Sequence, residues 1–218
     1  SEFDPEKYLI AVTKKGTIKK TDLAQFDTNR KSGLIAINLK DGDEVIAAVN
    51  AQKNADAVMI TRSGMSIRFA LDSVPAQGRA SAGVKGINLA ADDVCVLGCT
   101  LQNSEQILLF SDCGYAKRVP GAMLDPQGRA GKGVKCFAFN KNGSNGTRLA
   151  AVSLVPAEGA TIRVSQKMSP ATELEAAEIL MQNKTAKGMP MVLALLDDVV
   201  TEAEVTLVNT ARIVKHPL

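Results

Sequence analysis

No tryptophan occurs anywhere in the chain, histidine occurs once, and tyrosine only twice. The missing tryptophan removes a WD-type interaction propeller, which carries a Trp-Asp signature in each blade. Aromatic residues make up only 4% of the sequence, too few for a sugar-active propeller with aromatic side chains converging on a central channel. With His216 alone there is no Ser/His/Asp or Cys/His grouping for a nucleophilic triad. Cys95, Cys99, Cys113 and Cys136 form no C-x-x-C pair, so no structural zinc site is expected. They read as small buried thiols of a reducing compartment. No apolar run approaches the ~18 residues of a membrane span and no signal peptide opens the chain, so a soluble, cytoplasmic protein without membrane contact is expected. Metal and cofactor are expected to be absent.

What is present is 45% apolar residues, 22% charged residues and 17 glycines, the composition of a folded chain rich in tight turns. The core is expected to be built from Val, Ile, Leu, Ala and Met. The net charge is +3, unevenly spread: residues 1–155 hold 20 Lys/Arg against 15 Asp/Glu, and residues 156–218 hold 6 against 8. A basic front with an acidic tail suits a polyanionic partner. The acidic pairs Asp92-Asp93 and Asp197-Asp198 fall in turns, where Asp serves the backbone, and they do not read as a carboxylate active site.

The chain repeats itself. Ile10–Gly16, Val58–Gly64 and Leu108–Gly114 align, with turn glycines Gly16, Gly64 and Gly114 spaced 48 and 50 apart. A second set, Gly33, Gly83 and Gly133, is spaced 50 and 50 apart. Each unit reads as a β-hairpin, a polar loop of about a dozen residues, a short apolar strand (Ile35–Leu39, Ile87–Leu89), an acidic turn and a last apolar strand such as Val45–Val49. Four strands per ~50 residues is the arithmetic of a propeller-like array, and an ordinary β-sandwich does not produce such a register. The expected fold is therefore all-β, of about four blades, each a four-stranded antiparallel sheet. Blades are placed at about 7–53, 54–103, 104–156 and a degenerate 157–207, in a single repeat domain 1–218 with a closing or truncated hairpin at 208–218. Within the degenerate unit, Glu173–Leu180 has helical propensity and fits a short helix or an irregular loop.

Cations recur at equivalent places. Lys19-Lys20, Arg68 and Lys117-Arg118 follow the hairpin turns, and Lys14, Lys15 and Arg62 lie within them. Arg30-Lys31, Arg79 with Lys85, and Arg129 with Lys132 and Lys135 occupy the loops beyond. Recurrence puts them on one rim, and a periodic basic rim suits a phosphate backbone, whose neutralisation releases counterions. The competing reading is that Lys and Arg merely protect the solvent face of an edge strand. The segment Gln127–Gly133 lacks the G-x-x-x-x-G-K-[ST] form and is not a nucleotide loop. Its small residues read either as close backbone approach to a phosphate or as an inter-strand loop.

These residues resemble a known family. Thr13–Thr21 with Gly33–Glu44, Gly78–Ala80 with Gly83–Ile87, and Gly114–Arg118 are similar to the repeats of the C-terminal domain of the A subunit of bacterial gyrase and topoisomerase IV. The resemblance is strong over residues 8–155 and weak beyond. It implies a β-pinwheel whose neighbouring blades exchange strands, with double-stranded DNA bent around a basic rim. It also implies a chain without catalytic activity, associated with the nucleoid. Its partners are then the ATPase-bearing B subunit together with the remainder of the A subunit. Two departures stand out. The family usually has five or six blades, and the gyrase box Q-[RK]-R-G-G-[RK]-G survives only as Gln127–Gly133, with Gly128 and Ala130 deviating, which tilts the resemblance towards topoisomerase IV. A protein-interaction propeller without nucleic acid is the alternative.

Overall fold

The computed structural model describes residues 7–28, 32–156 and 159–207. The hairpin expected at 208–218, and Arg30 and Lys31, lie outside the described residues.

The first repeat contributes β1 (Lys7–Thr13), β2 (Thr17–Asp22) and β3 (Val45–Gln52). The second contributes β4 (Asp56–Thr61), β5 (Met65–Ala70), β6 (Val84–Lys85) and β7 (Cys95–Thr100). The third contributes β8 (Gln106–Ser111), β9 (Tyr115–Pro120), β10 (Val134–Lys135) and β11 (Leu149–Val155), and the fourth β12 (Ala160–Gln166), β13 (Thr172–Glu175), β14 (Met189–Pro190) and β15 (Val200–Leu207).

The first three hairpins close on the same turn. The amides of Gly16, Gly64 and Gly114 donate to the carbonyls of Thr13, Thr61 and Ser111 at 3.0–3.1 Å. Their φ angles of 84°, 82° and 79° lie in the left-handed region that a side chain disfavours. The hydroxyls of Thr13, Thr61 and Ser111 then accept the amides of Thr17, Met65 and Tyr115.

Sheets cross repeat boundaries. Their orders are β3-β1-β2-β6, β7-β4-β5-β10, β11-β8-β9-β14 and β15-β12-β13, so each of the first three takes its outer strand from the following repeat. This is the strand exchange of a β-pinwheel, a propeller-like all-β fold. The fourth sheet has three strands among the described residues. The outer strands are also earlier and shorter than the apolar runs suggest. Neither Ile35–Leu39 nor Ile87–Leu89 is a strand. Pairing stops at Lys85 because the Gly86 and Ile87 amides both turn to the Gly16 carbonyl, and the Ile87 side chain enters the core. The segment Glu173–Leu180 forms the end of β13 and one 3-10 turn, Ala176–Glu178, held by a capping box between Glu175 and Glu178.

The chain forms two compact units, Ser1–Gln102 with Leu124–Cys136, and Asn103–Met123 with Phe137–Leu218. The first is built on Ile10, Val12, Ile18, Met59, Ile67 and Phe69, the second on Leu108, Phe110, Ile162, Val164 and Ile179. Aliphatic residues dominate both, yet Phe69, Phe110 and Phe137 are also fully buried. Each such side chain contributes roughly 1.5–3 kcal/mol through removal from water.

Candidate nucleic-acid interface

The cations after each turn are not on a solvent-exposed strand face. Lys19, Lys20, Arg68, Lys117 and Arg118 are all buried, with Lys19 1% and Lys117 0% exposed. Neighbouring residues on a strand point to opposite faces, so burial of both members of a pair means that both faces are covered. The cover is the exchanged segment itself. The Gln77, Gln127 and Gln182 amides donate to the carbonyls of Lys20, Arg68 and Arg118, and the same segments then supply β6, β10 and β14.

Most bonds of the buried cations go to the backbone of that cover. The Lys19 ammonium donates to the Ala36 carbonyl at 2.6 Å and to that of Arg79. Lys20 donates to the Leu71 carbonyl at 2.8 Å and lies over the Tyr8 ring. Arg68 pairs with Asp56 at 2.8 Å and reaches the Leu124 carbonyl at 3.3 Å. Lys117 donates to the carbonyls of Asn183, Lys184 and Ala186 at 2.8, 3.1 and 2.8 Å. Arg118 bonds the Ile179 carbonyl at 2.7 Å and the Gln106 amide oxygen at 2.8 Å. Desolvation lowers the pKa of Lys19, Lys20 and Arg118 from their ordinary values, and for Lys19 the Arg79 charge adds to it.

The remaining cations are accessible. Lys14 pairs with Glu44 at 2.5 Å, Lys15 donates to the Asp41 carbonyl at 2.7 Å, and Arg62 to the Asp92 carbonyl at 2.9 Å. Arg79 is half-exposed and Lys85 exposed, its ammonium 3.4 Å from the Asn88 side chain. Arg129 bonds the carbonyls of Ser73 and Lys85, tying its own loop to the preceding one. Lys132 and Lys135 are exposed, their ammonium groups make no hydrogen bond or ion pair among the described residues, and they border the same cavity. Arg79, Lys85, Arg129, Lys132 and Lys135 thus all ride on exchanged segments of the first unit.

In the second unit Lys184 and Lys187 occupy the corresponding loop, and Lys187 is exposed. The run Lys184–Gly188 parallels Arg129–Gly133, which is the signal in the sequence that finds them. The outer strand there is different. Strand register puts Thr172 and Glu173 where β9 has Lys117 and Arg118, and exposed Glu173 faces Arg163 at 4.0 Å.

The glycine of the exchanged loop serves protein contact. Gly133 has φ 75°, and a Cβ there would lie 2.4 Å from the Ser66 carbonyl oxygen. The acidic turns serve the hairpins. Asp43, Asp93 and Asp198 accept the amides of Lys15, Ser63 and Met168. The third repeat inverts the device, with Asp112 accepting both the amide and the hydroxyl of Thr147. Asp198 is held below its ordinary pKa, first by its hydrogen bond to Ser169. Of the four cysteines, three are buried and Cys113 is half-buried. Burial pushes the Cys95 thiol up to about 12, which leaves it inert.

Comparison with known proteins places these features in context. A family described as the DNA gyrase C-terminal domain, a beta-propeller, matches residues 7–51, 55–96 and 105–145, together more than half of the chain. The DNA gyrase A subunit of Clostridium acetobutylicum is 46% identical over 85 residues, and that of Brachyspira hyodysenteriae 41% over 85. Each match covers 39% of this chain and 10% of the relative, so the alignment reaches only a tenth of those proteins. Among solved structures, the C-terminal domain of a DNA topoisomerase IV superposes with a TM-score of 0.85 over 95% of this chain and 64% of its own, at 24% identity. A DNA gyrase A C-terminal domain gives 0.77 over 94% and 68%, also at 24% identity. At that identity the likeness concerns the fold.

Proposed function

The chain belongs to the DNA gyrase C-terminal domain family, and from that premise we propose that it binds and bends duplex DNA without catalysing a reaction itself. In this reading it serves a type IIA topoisomerase of the bacterial nucleoid, in concert with the ATPase subunit, and with the remainder of the A subunit. The observation that carries the proposal is the division of labour among the cations. Buried Lys and Arg fasten the exchanged segments, and those segments present Arg79, Lys85, Arg129, Lys132 and Lys135 to solvent. Lys14, Lys15 and Arg62 add positive charge at the turns, and the recurrence of cations at equivalent repeat positions extends the same reading to Arg30 and Lys31. Cations on loops, with glycine and alanine between them, suit phosphates and carry no base-reading geometry, so sequence preference is expected to be small.

Bending a 20–30 bp segment by 40–90° costs on the order of 1–6 kcal/mol, which successive contacts along the repeats must offset. The test is energy transfer between dyes at the two ends of a 40-bp duplex. End-to-end shortening on binding, with 40-bp duplexes bound tighter than 15-bp ones beyond the statistical count of sites, supports the proposal. An unchanged distance at saturation leaves a straight-duplex binder, and absence of duplex binding removes the reading altogether.

A further inference from the structure

A cavity of about 400 Å³ opens beside the second hairpin turn, and Lys132 and Lys135 border it. Its size falls in the range of roughly 300–1,000 Å³ typical of small-ligand sites. Met65, Leu89 and Ala90 give it an apolar wall, and Ser63 and Asn88 stand at its polar side. The one carboxylate, Asp93, is already engaged by the Ser63 amide and hydroxyl and by the Val94 amide. The two unpaired ammonium groups therefore set the sign of the charge the cavity can receive.

The turn residue at the cavity differs between the repeats. In the first repeat it is Lys15, whose ammonium donates to the Asp41 carbonyl at 2.7 Å. In the second it is Ser63, which lines the cavity and folds back onto Asp93 and Thr61.

We propose that this cavity is a binding site for a phosphorylated nucleoside, with its phosphate on Lys132 and Lys135 and its base or sugar against Met65, Leu89 and Ala90. The ligand is a free mononucleotide, since a base stacked in a duplex cannot turn to the cavity wall. The site shares Lys132 and Lys135 with the duplex-binding reading, and only the cavity beside them is its own.

The experiment titrates the isotopically labelled chain with deoxyadenosine 5′-monophosphate, and in parallel with inorganic phosphate, following backbone amides by NMR. Saturable shifts at Ser63, Asn88, Leu89 and Lys132 with the nucleotide, and weaker ones with phosphate, are expected. Ser63→Leu narrows the cavity from its wall without adding charge, so it should weaken the nucleotide shifts while duplex affinity stays level. Lys132→Ala with Lys135→Ala should weaken nucleotide binding about tenfold or more, as loss of charge-assisted contacts requires. The melting temperature of each variant controls for folding. A 40-bp duplex is expected to displace the nucleotide, since both place phosphate on Lys132 and Lys135; retention on a duplex-saturated chain would overturn the placement of the nucleotide's phosphate on these lysines. Absence of saturable shifts, or shifts indifferent to Ser63→Leu, overturns the proposal. A parent chain that binds duplex but no nucleotide loses only this site; one that binds neither loses the duplex reading as well.

Discussion

Lys117 gives the sharpest test of the claim that the strand cations are fasteners. Its side chain is fully buried, and its ammonium meets three carbonyls at 2.8–3.1 Å. Lys117→Met keeps the length of the stem and its packing near Phe137 but removes the donors. Hydrogen bonds to a charged group contribute about 1.5–3 kcal/mol each. The full sum is not expected, because Asn183 and Ala186 carbonyls keep backbone donors in the Ala186 and Ala138 amides. A loss of about 2–3 kcal/mol follows for Lys117→Met. Lys117→Glu places an uncompensated carboxylate against the same carbonyls and should cost more than about 4 kcal/mol. Lys187→Glu, on the exposed loop, should stay within about 0.5 kcal/mol. Because the chain has two compact units, a single bulk transition is a poor readout. Amide exchange at Ala116, Ala138 and Ala186 reports the second unit directly. A Lys117→Met protein within about 0.5 kcal/mol of the parent at these amides would refute the fastening role.

Three further outcomes follow. Gly133→Ala should destabilise the first unit by more than about 1 kcal/mol in urea unfolding, since it combines a φ of 75° with a Cβ 2.4 Å from the Ser66 carbonyl, whereas Gly33→Ala has nothing within 4 Å and should be neutral. Arg68→Met leaves Asp56 without its guanidinium and should cost about 2–3 kcal/mol, less than a wholly buried pair because Asp56 is 22% exposed. Asp198 has a folded pKa below its ordinary 3.8, so its stabilisation is complete above that value and disappears as pH falls through and below it. Asp198→Asn should therefore melt lower than the parent at pH 7, and the gap should close below about pH 3.8 in a thermal-melt series.

The hairpins were legible because their turn glycines are fixed by backbone conformation, and such a constraint leaves the same residue at the same spacing. That blades exchange strands was implied by the family resemblance, but the places of the exchanged strands were not legible. β6, β10 and β14 are two residues long, too short for any alternation, and their pairing partners lie 66 or more residues away. Missing them led to the misplacement of Lys19, Lys20, Arg68, Lys117 and Arg118 on an open face, since a lysine on an uncovered strand is a surface residue and one under an exchanged loop is a buried donor. The run Thr17–Asp22 held a clue. Two adjacent lysines cannot both face outward on one side of a strand, and their recurrence as Lys117-Arg118 implied a constraint on each face. The acidic turns were placed correctly, but their grip on the neighbouring hairpin amides depends on a contact about 30 residues away that no local pattern reveals.

The central claim, that exposed cations on exchanged segments hold a phosphate backbone, is tested most directly by the salt dependence of duplex binding. Engagement of ~6 or more phosphates predicts a slope of log affinity against log salt steeper than about −5 for the parent. Lys85→Ala, Lys132→Ala and Lys135→Ala combined should flatten it by about 2–3, while Lys117→Met, where the folded chain is still recovered, should leave it unchanged. A parent slope near −1, or a triple variant with the parent's slope, would contradict the account.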